Sequence, residues 1–414
     1  MPIIDLKTLL MIPINQLLNL LFVAFAFVLP LSRAGIVFFS LLIILVWFLS
    51  HEKYKRLKEL AQSHAFQALM LFWLYTFVSL VWVESHNWKD AIEYVFTYWY
   101  FLVIVAIATT IEQEKILSTI SAFVVGMLVS ELLSYGIFFE LISLNHGSPD
   151  NPTPFMNHLD YGLYLAFTSL LILSRLLYEE SLKYRFFYLL FFISVTINLF
   201  IVAGRIGYLA FGVGFVMLWM HRFGYLWRAF GIAMGALVVI VSLAFNLSNT
   251  FHERVNVSLD NLQKLYYHQD YCTSWGNRMG ALIIAKEIVA QEPLLGSGVI
   301  DHTDRLRAII AHQYPQMECL SWFEHYHNQY AEVVTSLGLV GLVIFLSIFY
   351  ALVRMRFENR EFESIKVVFV SVFLVGFIAE PFIIKQFSLA LFVLFFALLH
   401  GVYRHERSQK LTKF

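Results

Sequence analysis

Charge is scarce in this sequence. Of 414 residues, 14% are Asp, Glu, Lys or Arg, against about 25% in soluble domains. The 29 basic and 29 acidic side chains cancel, so the overall charge points to neither nucleic acid nor an acidic partner. Cysteine is scarcer still, with two residues, Cys272 and Cys319. The chain has no HExxH, P-loop or GxSxG pattern. Without a nucleotide motif, chemistry driven by ATP or nucleotide sugars on the inner face is not expected. No internal repeat suggests an inverted-repeat transporter.

Apolar sequence is abundant: 59% of residues are hydrophobic and 41 are Phe. Runs long enough to cross a bilayer recur along the length. Twelve are expected, at about 15–31, 34–50, 66–83, 93–110, 116–136, 161–178, 186–202, 206–220, 229–246, 330–353, 367–384 and 387–403. The first lacks a small-x-small cleavage site, since Pro30-Leu31-Ser32-Arg33 follows it, and is read as a retained helix. The fold class is therefore all-α, a polytopic membrane protein with one large outer loop.

Orientation follows from Lys and Arg. One side collects Lys7, the Lys53 to Lys58 cluster, Lys115, Arg175 to Arg185, Arg222 and Arg228, Arg354 to Lys366, and Arg404 to Lys413. The short connections of the other side hold only Arg33, Lys89, Arg205 and Lys385. Both termini are thus expected in the cytoplasm. The chain divides into 1–246 with nine spans, a large loop at 247–328, and 329–414 with three spans and a tail.

Two outer connections are long. One, 137–160, carries turn chemistry from Asn145 and His146 to Pro154. The other, 247–328, shows an amphipathic pattern from Asn277 to Ala290, tight turns from Pro293 to Gly298, and a second short helix from Leu306 to His312. Both cysteines fall in this loop. In an oxidising compartment they could close a ring of about 48 residues and stabilise it by a few kcal/mol; two free thiols are the alternative, because sequence does not supply the Cα separation.

The outer side also holds the candidate chemistry. In the stretch from His327-Asn328 to Gly338 and Gly341, a continuous helix would align His327, Ala331, Val334, Gly338 and Gly341 on one narrow face. That face could be simple close packing or could carry a proton acceptor, since a neutral His takes a proton near pH 7. Arg205 lies between two spans with almost no loop, and either snorkels or meets an anion. Arg278 begins the amphipathic loop helix, against the dipole, as a solvated charge or an anion ligand. Arg254, Arg305 and Arg307 read as solvated loop charges. His325 and His327, two apart, would diverge on a helix, and His146 and His158 lie elsewhere, so no metal site is expected. Glu131 and Glu380 are the main ionisable residues a transporter could use, and both sit near outer ends.

The His-Asn pair, nine residues, Gly, two residues and Gly resemble the outer-loop motif of the O-antigen ligase family, grouped with O-antigen polymerases and some O-linked oligosaccharyltransferases. The span count, the large loop, Arg205, Arg278 and the Pro293-x-x-Gly296-x-Gly298 turn extend the likeness. The resemblance implies a membrane-embedded, metal-independent, inverting glycosyltransferase in the bacterial inner membrane, with the large loop periplasmic. Its partners would be an undecaprenyl-pyrophosphate-linked glycan donor, a lipid A-core acceptor and membrane lipid, with no cofactor and no nucleic acid. Arg205 and Arg278 would bind the donor pyrophosphate and His327 would act as base or position the acceptor. Asn328 would orient His327 or a sugar, Asn157 and His158 would line the cavity, and Gly338 and Gly341 would permit close packing. A hydroxyl residue is expected close to Arg205, where this chain has Ala203-Gly204. The alternatives are a polymerase on the same carrier and a twelve-helix transporter.

Overall fold

The computed structural model describes residues 13–50, 53–144 and 147–412. Lys7, Asn145, His146 and Lys413, and the side chains of Lys53 and Lys55, lie outside the described residues. The described chain is helical, in the order α1 (Ile14–Val28), α2 (Arg33–Phe48), α3 (Lys53–Leu60), α4 (His64–Val78), α5 (Trp88–Phe96), α6 (Phe101–Thr110), α7 (Gln113–Phe138), α8 (His158–Tyr178), α9 (Leu182–Ile201), α10 (Arg205–Phe223) and α11 (Trp227–Leu247). Next come α12 (Asn249–His268), α13 (Ser274–Gln291) and α14 (Asp301–Gln313), then α15 (Gln329–Arg354), α16 (Arg360–Gly376) and α17 (Gln386–Thr412). Among the described residues 9 helical segments are long and apolar enough to cross a membrane, and α1 and α2 are shorter apolar helices. The protein is an all-α polytopic membrane protein.

Two helices show how composition sets position. Every residue of α17 from Phe387 to Val402 is buried. Apolar on all sides, it fills the interior of the bundle, with α6 along its length. α11 is as apolar, yet its buried residues are only Ala229, Ala233 and Ala244. Small side chains make its narrow contact with α10, and the rest of its surface is suited to lipid.

The stretch expected at 367–384 is helical only to Gly376. Pro381 follows Glu380, which biases Glu380 away from the helical region, and 377–385 forms a compact turn. Its backbone is tied to α15: Gln329 N–H donates to Phe377 O at 2.8 Å, and Ile383 N–H donates to Gln329 Oε1 at 3.0 Å.

The large loop at 247–328 is mostly helix. The pattern at Asn277–Ala290 becomes α13, and that at Leu306–His312 becomes α14. α12 was not anticipated. It is too polar to show apolar periodicity, and its sequence signal is the cap, Ser248, whose hydroxyl accepts from Phe251 N–H. Cys272 and Cys319 form a disulfide with Cα atoms 5.8 Å apart, tying the start of α13 to the turn after α14. Asp301, at the head of α14, accepts from Asn87 Nδ2 at 2.7 Å and from Glu84 N–H at 2.8 Å. Arg305 and Arg307 pair with Glu292 and Asp304 at 2.8 and 3.0 Å.

The loop docks through a second junction. α15 is not the continuous helix of the sequence reading, because Gly338 has φ 68 and ψ −172 and breaks it. The single-face alignment of His327 with Gly338 and Gly341 therefore fails. The Pro293–Gly298 turn enters the break. Ser297 N–H donates to Thr335 O (2.9 Å), Gly298 N–H to Ser336 O (3.0 Å) and Leu339 N–H to Pro293 O (2.8 Å). These bonds satisfy groups that a broken helix leaves unpaired. The backbones meet so closely that a Cβ on Gly338 would lie 2.1 Å from Leu294 O, and one on Gly296 2.5 Å from Gly338 N. Gly341 has a different role: a Cβ there would crowd Leu337 and approach Tyr75 of α4.

Gly338→Ala should therefore cost more than about 1 kcal/mol, since its backbone conformation and its clearance both exclude a side chain. The expected result is a lower unfolding temperature and faster proteolysis within 249–328. Protease resistance equal to wild type would show that this junction does not hold the loop.

Candidate functional site

His327 lies just ahead of α15, and its backbone is not helical, with φ 49. A left-handed non-glycine residue is costly and is held by its surroundings. Asn328 supplies much of that hold. It caps α15 by accepting from Ala331 N–H at 2.9 Å, and its Nδ2 donates to Ile378 O at 2.9 Å. Its amide is thus committed to fixing the turn against which His327 rests.

Because residues 325–327 are not a helix, His325 and His327 converge instead of diverging. Both reach Glu380 in the 377–385 turn. His327 Nδ1 is 2.9 Å from Glu380 Oε2, His325 Nε2 is 3.6 Å from Oε1, and Lys385 Nζ pairs with Oε1. Glu380 is fully buried, and His327 is 26% exposed. Burial alone would raise the Glu380 carboxyl. The His327 hydrogen bond and the charges of Lys385, His327 and His325 outweigh it and hold the carboxyl at about 2. Burial pushes His325 below the usual imidazole range, with Glu380 opposing.

The tautomers follow from this. An ionised carboxylate only accepts, so His327 Nδ1 carries the proton and Nε2 is left basic. His325 Nδ1 accepts from His327 N–H at 3.3 Å, which places the His325 proton on Nε2, facing Glu380. Candidate ligand atoms of His325, His327 and Glu380 lie within 4.8 Å of one another, as a metal site would need. The Lys385 ammonium already occupies one of the two carboxylate oxygens, so a cation would have to displace it.

A second cluster is basic. Arg205 opens α10, and its NH1 donates to Ser258 Oγ of α12 at 3.1 Å. Arg205 stands within electrostatic reach of Arg254 and Arg278. Arg278 NH1 donates to Ser274 O and Oγ at 2.9 and 3.2 Å, while its buried Nε has no partner. Burial lowers the Arg278 guanidinium from its ordinary value, with Glu380 opposing; arginine stays charged nonetheless. No carboxylate forms a salt bridge with any of the three arginines among the described residues. Arg254, read from sequence as a solvated charge, belongs to this cluster because α12 folds over Arg205.

His158 links the two groups, feeling the charges of Arg254, Glu380, Arg278 and Arg205. Its neighbour Asn157 is the cap of α8, accepting from Leu159 and Asp160 N–H and donating to Asp160 Oδ2. The Ala203-Gly204 pair has a packing reason. A Cβ on Gly204 would fall 2.3 Å from His158 O, and one on Gly207 would fall 2.5 Å from Gly162 O. Backbone contact between α8 and α10 is what brings His158 to the arginines. The hydroxyl near Arg205 comes from elsewhere in the chain, Ser258.

The sequence reading thus missed Glu380 and His325 as partners of His327, Lys385 as the partner of Glu380, and Arg254 as a neighbour of Arg205. An acid in an apolar surrounding, Ala379-Glu380-Pro381, is the signal that could have found the first. Arg254 offered none until its helix was placed.

A proton acceptor oriented by a carboxylate, beside three guanidinium groups without carboxylate partners, suits transfer from an anionic donor. The family model described as O-Antigen ligase matches residues 188–346. Over that stretch, less than half of its length, the chain is similar to the O-antigen ligase family. The match runs from α9 into α15 and includes Arg205, Arg254, Arg278 and His327, while Glu380, Lys385 and His158 lie outside it. Comparison with curated proteins gives no match.

The folded carboxyl of Glu380 lies below its ordinary 4.5. Its stabilisation is therefore fully present above about pH 4.5 and is lost as pH falls through about 2. Glu380→Gln should destabilise the protein by about 3 kcal/mol at neutral pH, because Lys385 is left without its counter-charge, and should flatten this acid dependence. Glu380→Gln with Lys385→Met should recover part of the loss. Thermal unfolding across pH checks both, and an unchanged melting temperature in the single variant would refute the pairing.

Proposed function

We propose that the protein is an O-antigen ligase. It transfers a glycan from undecaprenyl pyrophosphate to a lipid A-core sugar, on the periplasmic face of the bacterial inner membrane. The domain match supports ligase- or polymerase-type glycan transfer in general. The observation that supports transfer from a pyrophosphate donor is the juxtaposition of the His327–Glu380 pair with Arg205, Arg254 and Arg278; the lipid A-core acceptor rests on the family resemblance.

In this reading the chain crosses the membrane twelve times with both termini cytoplasmic, and the loop at 247–328 covers the site. The arginines hold the donor pyrophosphate by charge-assisted hydrogen bonds. The acceptor hydroxyl oxygen attacks the anomeric carbon from the side opposite the leaving group, giving inversion. Its proton passes to His327 Nε2. The bond from the anomeric carbon to the phosphate oxygen breaks, and undecaprenyl pyrophosphate leaves with its charge held by the same arginines. Glu380 holds Nδ1–H and stabilises the imidazolium. His158 lines the space between base and arginines, and no metal takes part. Glu380 is committed to two histidines and a lysine, which weighs against its use as a transporter's proton carrier.

Purified protein incubated with lipid-linked donor and lipid A-core, with and without chelator, tests this. His327→Ala should lower transfer about 10²- to 10⁴-fold while leaving the protein in the membrane. Arg254→Gln should weaken donor use by at least about tenfold. Full activity of His327→Ala refutes the mechanism, and loss of activity with chelator refutes metal independence. Extension of the lipid-linked glycan, with no product on lipid A-core, would identify a polymerase on the same carrier.

A further inference from the structure

At the end of the bundle away from His327, α15 and α17 finish beside the start of α4. Between them lies a cavity of about 800 Å³, whose lining includes Tyr350, Arg354, Arg356, Glu406, Arg407 and Lys410. Two of its cations are matched: Arg356 faces Glu363 at 3.5 Å, and Lys410 faces Glu358 at 3.0 Å. Glu406, the only acid lining the cavity among the described residues, accepts from the backbone N–H groups of Glu358 and Asn359 at 2.9 and 3.2 Å. Arg354 and Arg407 have no carboxylate partner among the described residues. The cavity therefore carries two guanidinium groups without a carboxylate partner, and one acid that two backbone N–H groups already hold.

An apolar face of α15 adjoins the cavity and shares Tyr350 with its lining. Val343, Leu346, Tyr350 and Val353 are all exposed. Steps of three and four put them on one stripe of α15, and that stripe runs up to Arg354. A free anion would use the arginines and leave the stripe bare. A phospholipid would use both, with its phosphate between Arg354 and Arg407 and its acyl chains along the stripe. A zwitterionic headgroup would add an amine to a lining in which basic side chains outnumber the acid.

We propose that this cavity binds an anionic phospholipid, its phosphate held by Arg354 and Arg407 and its chains laid along Val343, Leu346, Tyr350 and Val353. The site is independent of the transfer chemistry and stands or falls separately from it.

The test uses the full chain purified in detergent, with bound lipid measured by native mass spectrometry and by shift of the unfolding temperature. The probes are phosphatidylglycerol, phosphatidylcholine and inorganic phosphate. Wild type should retain phosphatidylglycerol over phosphatidylcholine by about 25-fold. The preference should vanish in R354Q/R407Q, since each basic side chain near a lipid phosphate contributes a factor of about five. R354K/R407K, which keeps the charge, should retain it and so guards against a folding defect in the first variant. Equal retention of the two lipids by wild type would overturn the proposal. So would undiminished phosphatidylglycerol retention by folded R354Q/R407Q, or inorganic phosphate alone giving the full thermal shift.

Discussion

The structure depends on the insertion of one backbone turn into a broken helix. α15 stops being helical at Gly338, and a helix broken inside a membrane protein exposes N–H and C=O groups that lipid cannot satisfy. The Pro293–Gly298 turn supplies the missing partners through its own backbone. The bonds run both ways, with turn donating to helix and helix to turn, so the two form as a unit. This couples the 247–328 loop to the helical bundle more directly than side-chain packing could. It also explains why two glycines forty-two residues apart share one requirement: at Gly296 and Gly338 each backbone occupies the space a Cβ of the other would need.

From that junction outward, the chain is arranged to hold His327 in an unfavourable backbone conformation. Asn328 caps α15 and grips Ile378, and Gln329 grips Phe377 and Ile383. The turn so fixed presents Glu380, buried and ionised, to His327. A buried carboxylate is tolerated only when paired, and here its partners include the imidazole whose tautomer it sets. Stability and chemistry are thus linked at one residue. The interactions that let Glu380 remain charged are the same ones that leave His327 Nε2 free to accept a proton.

Much of this was legible in the sequence, and what was missed has physical causes. Helix positions were readable because apolar runs of sufficient length leave few alternatives in a bilayer. His327, Arg205 and Arg278 stood out because polar groups at a membrane surface are costly. Glu380 was visible as a polar residue, but its pairing with His327 and Lys385 depends on a turn after α16 that periodicity placed largely inside a span. The convergence of His325 and His327 was hidden by assuming a helix that begins only after Asn328. Arg254 was hidden by the polarity of α12, which lacks the apolar stripe that reveals a helix. Gly204 before Arg205 looked like a departure from an expected pattern. It is a consequence of α8 lying against α10 with no room for a side chain.

The distribution of unmatched charge separates holding from binding. Where the fold needs a charge for its own integrity, it supplies the opposite one: Glu380 has Lys385, Asp304 has Arg307, and Glu361 has Arg175. Arg205, Arg254 and Arg278 are treated differently. They converge, repel one another, and receive only hydroxyl and carbonyl partners where partners are present at all. Like charges gathered without compensation weaken a fold, so their assembly is not explained by stability. An anion brought in from outside removes the repulsion and completes the hydrogen bonding of the buried Arg278 Nε. On the proposed function, a polyanionic donor held there would relieve that repulsion beside the proposed base, His327.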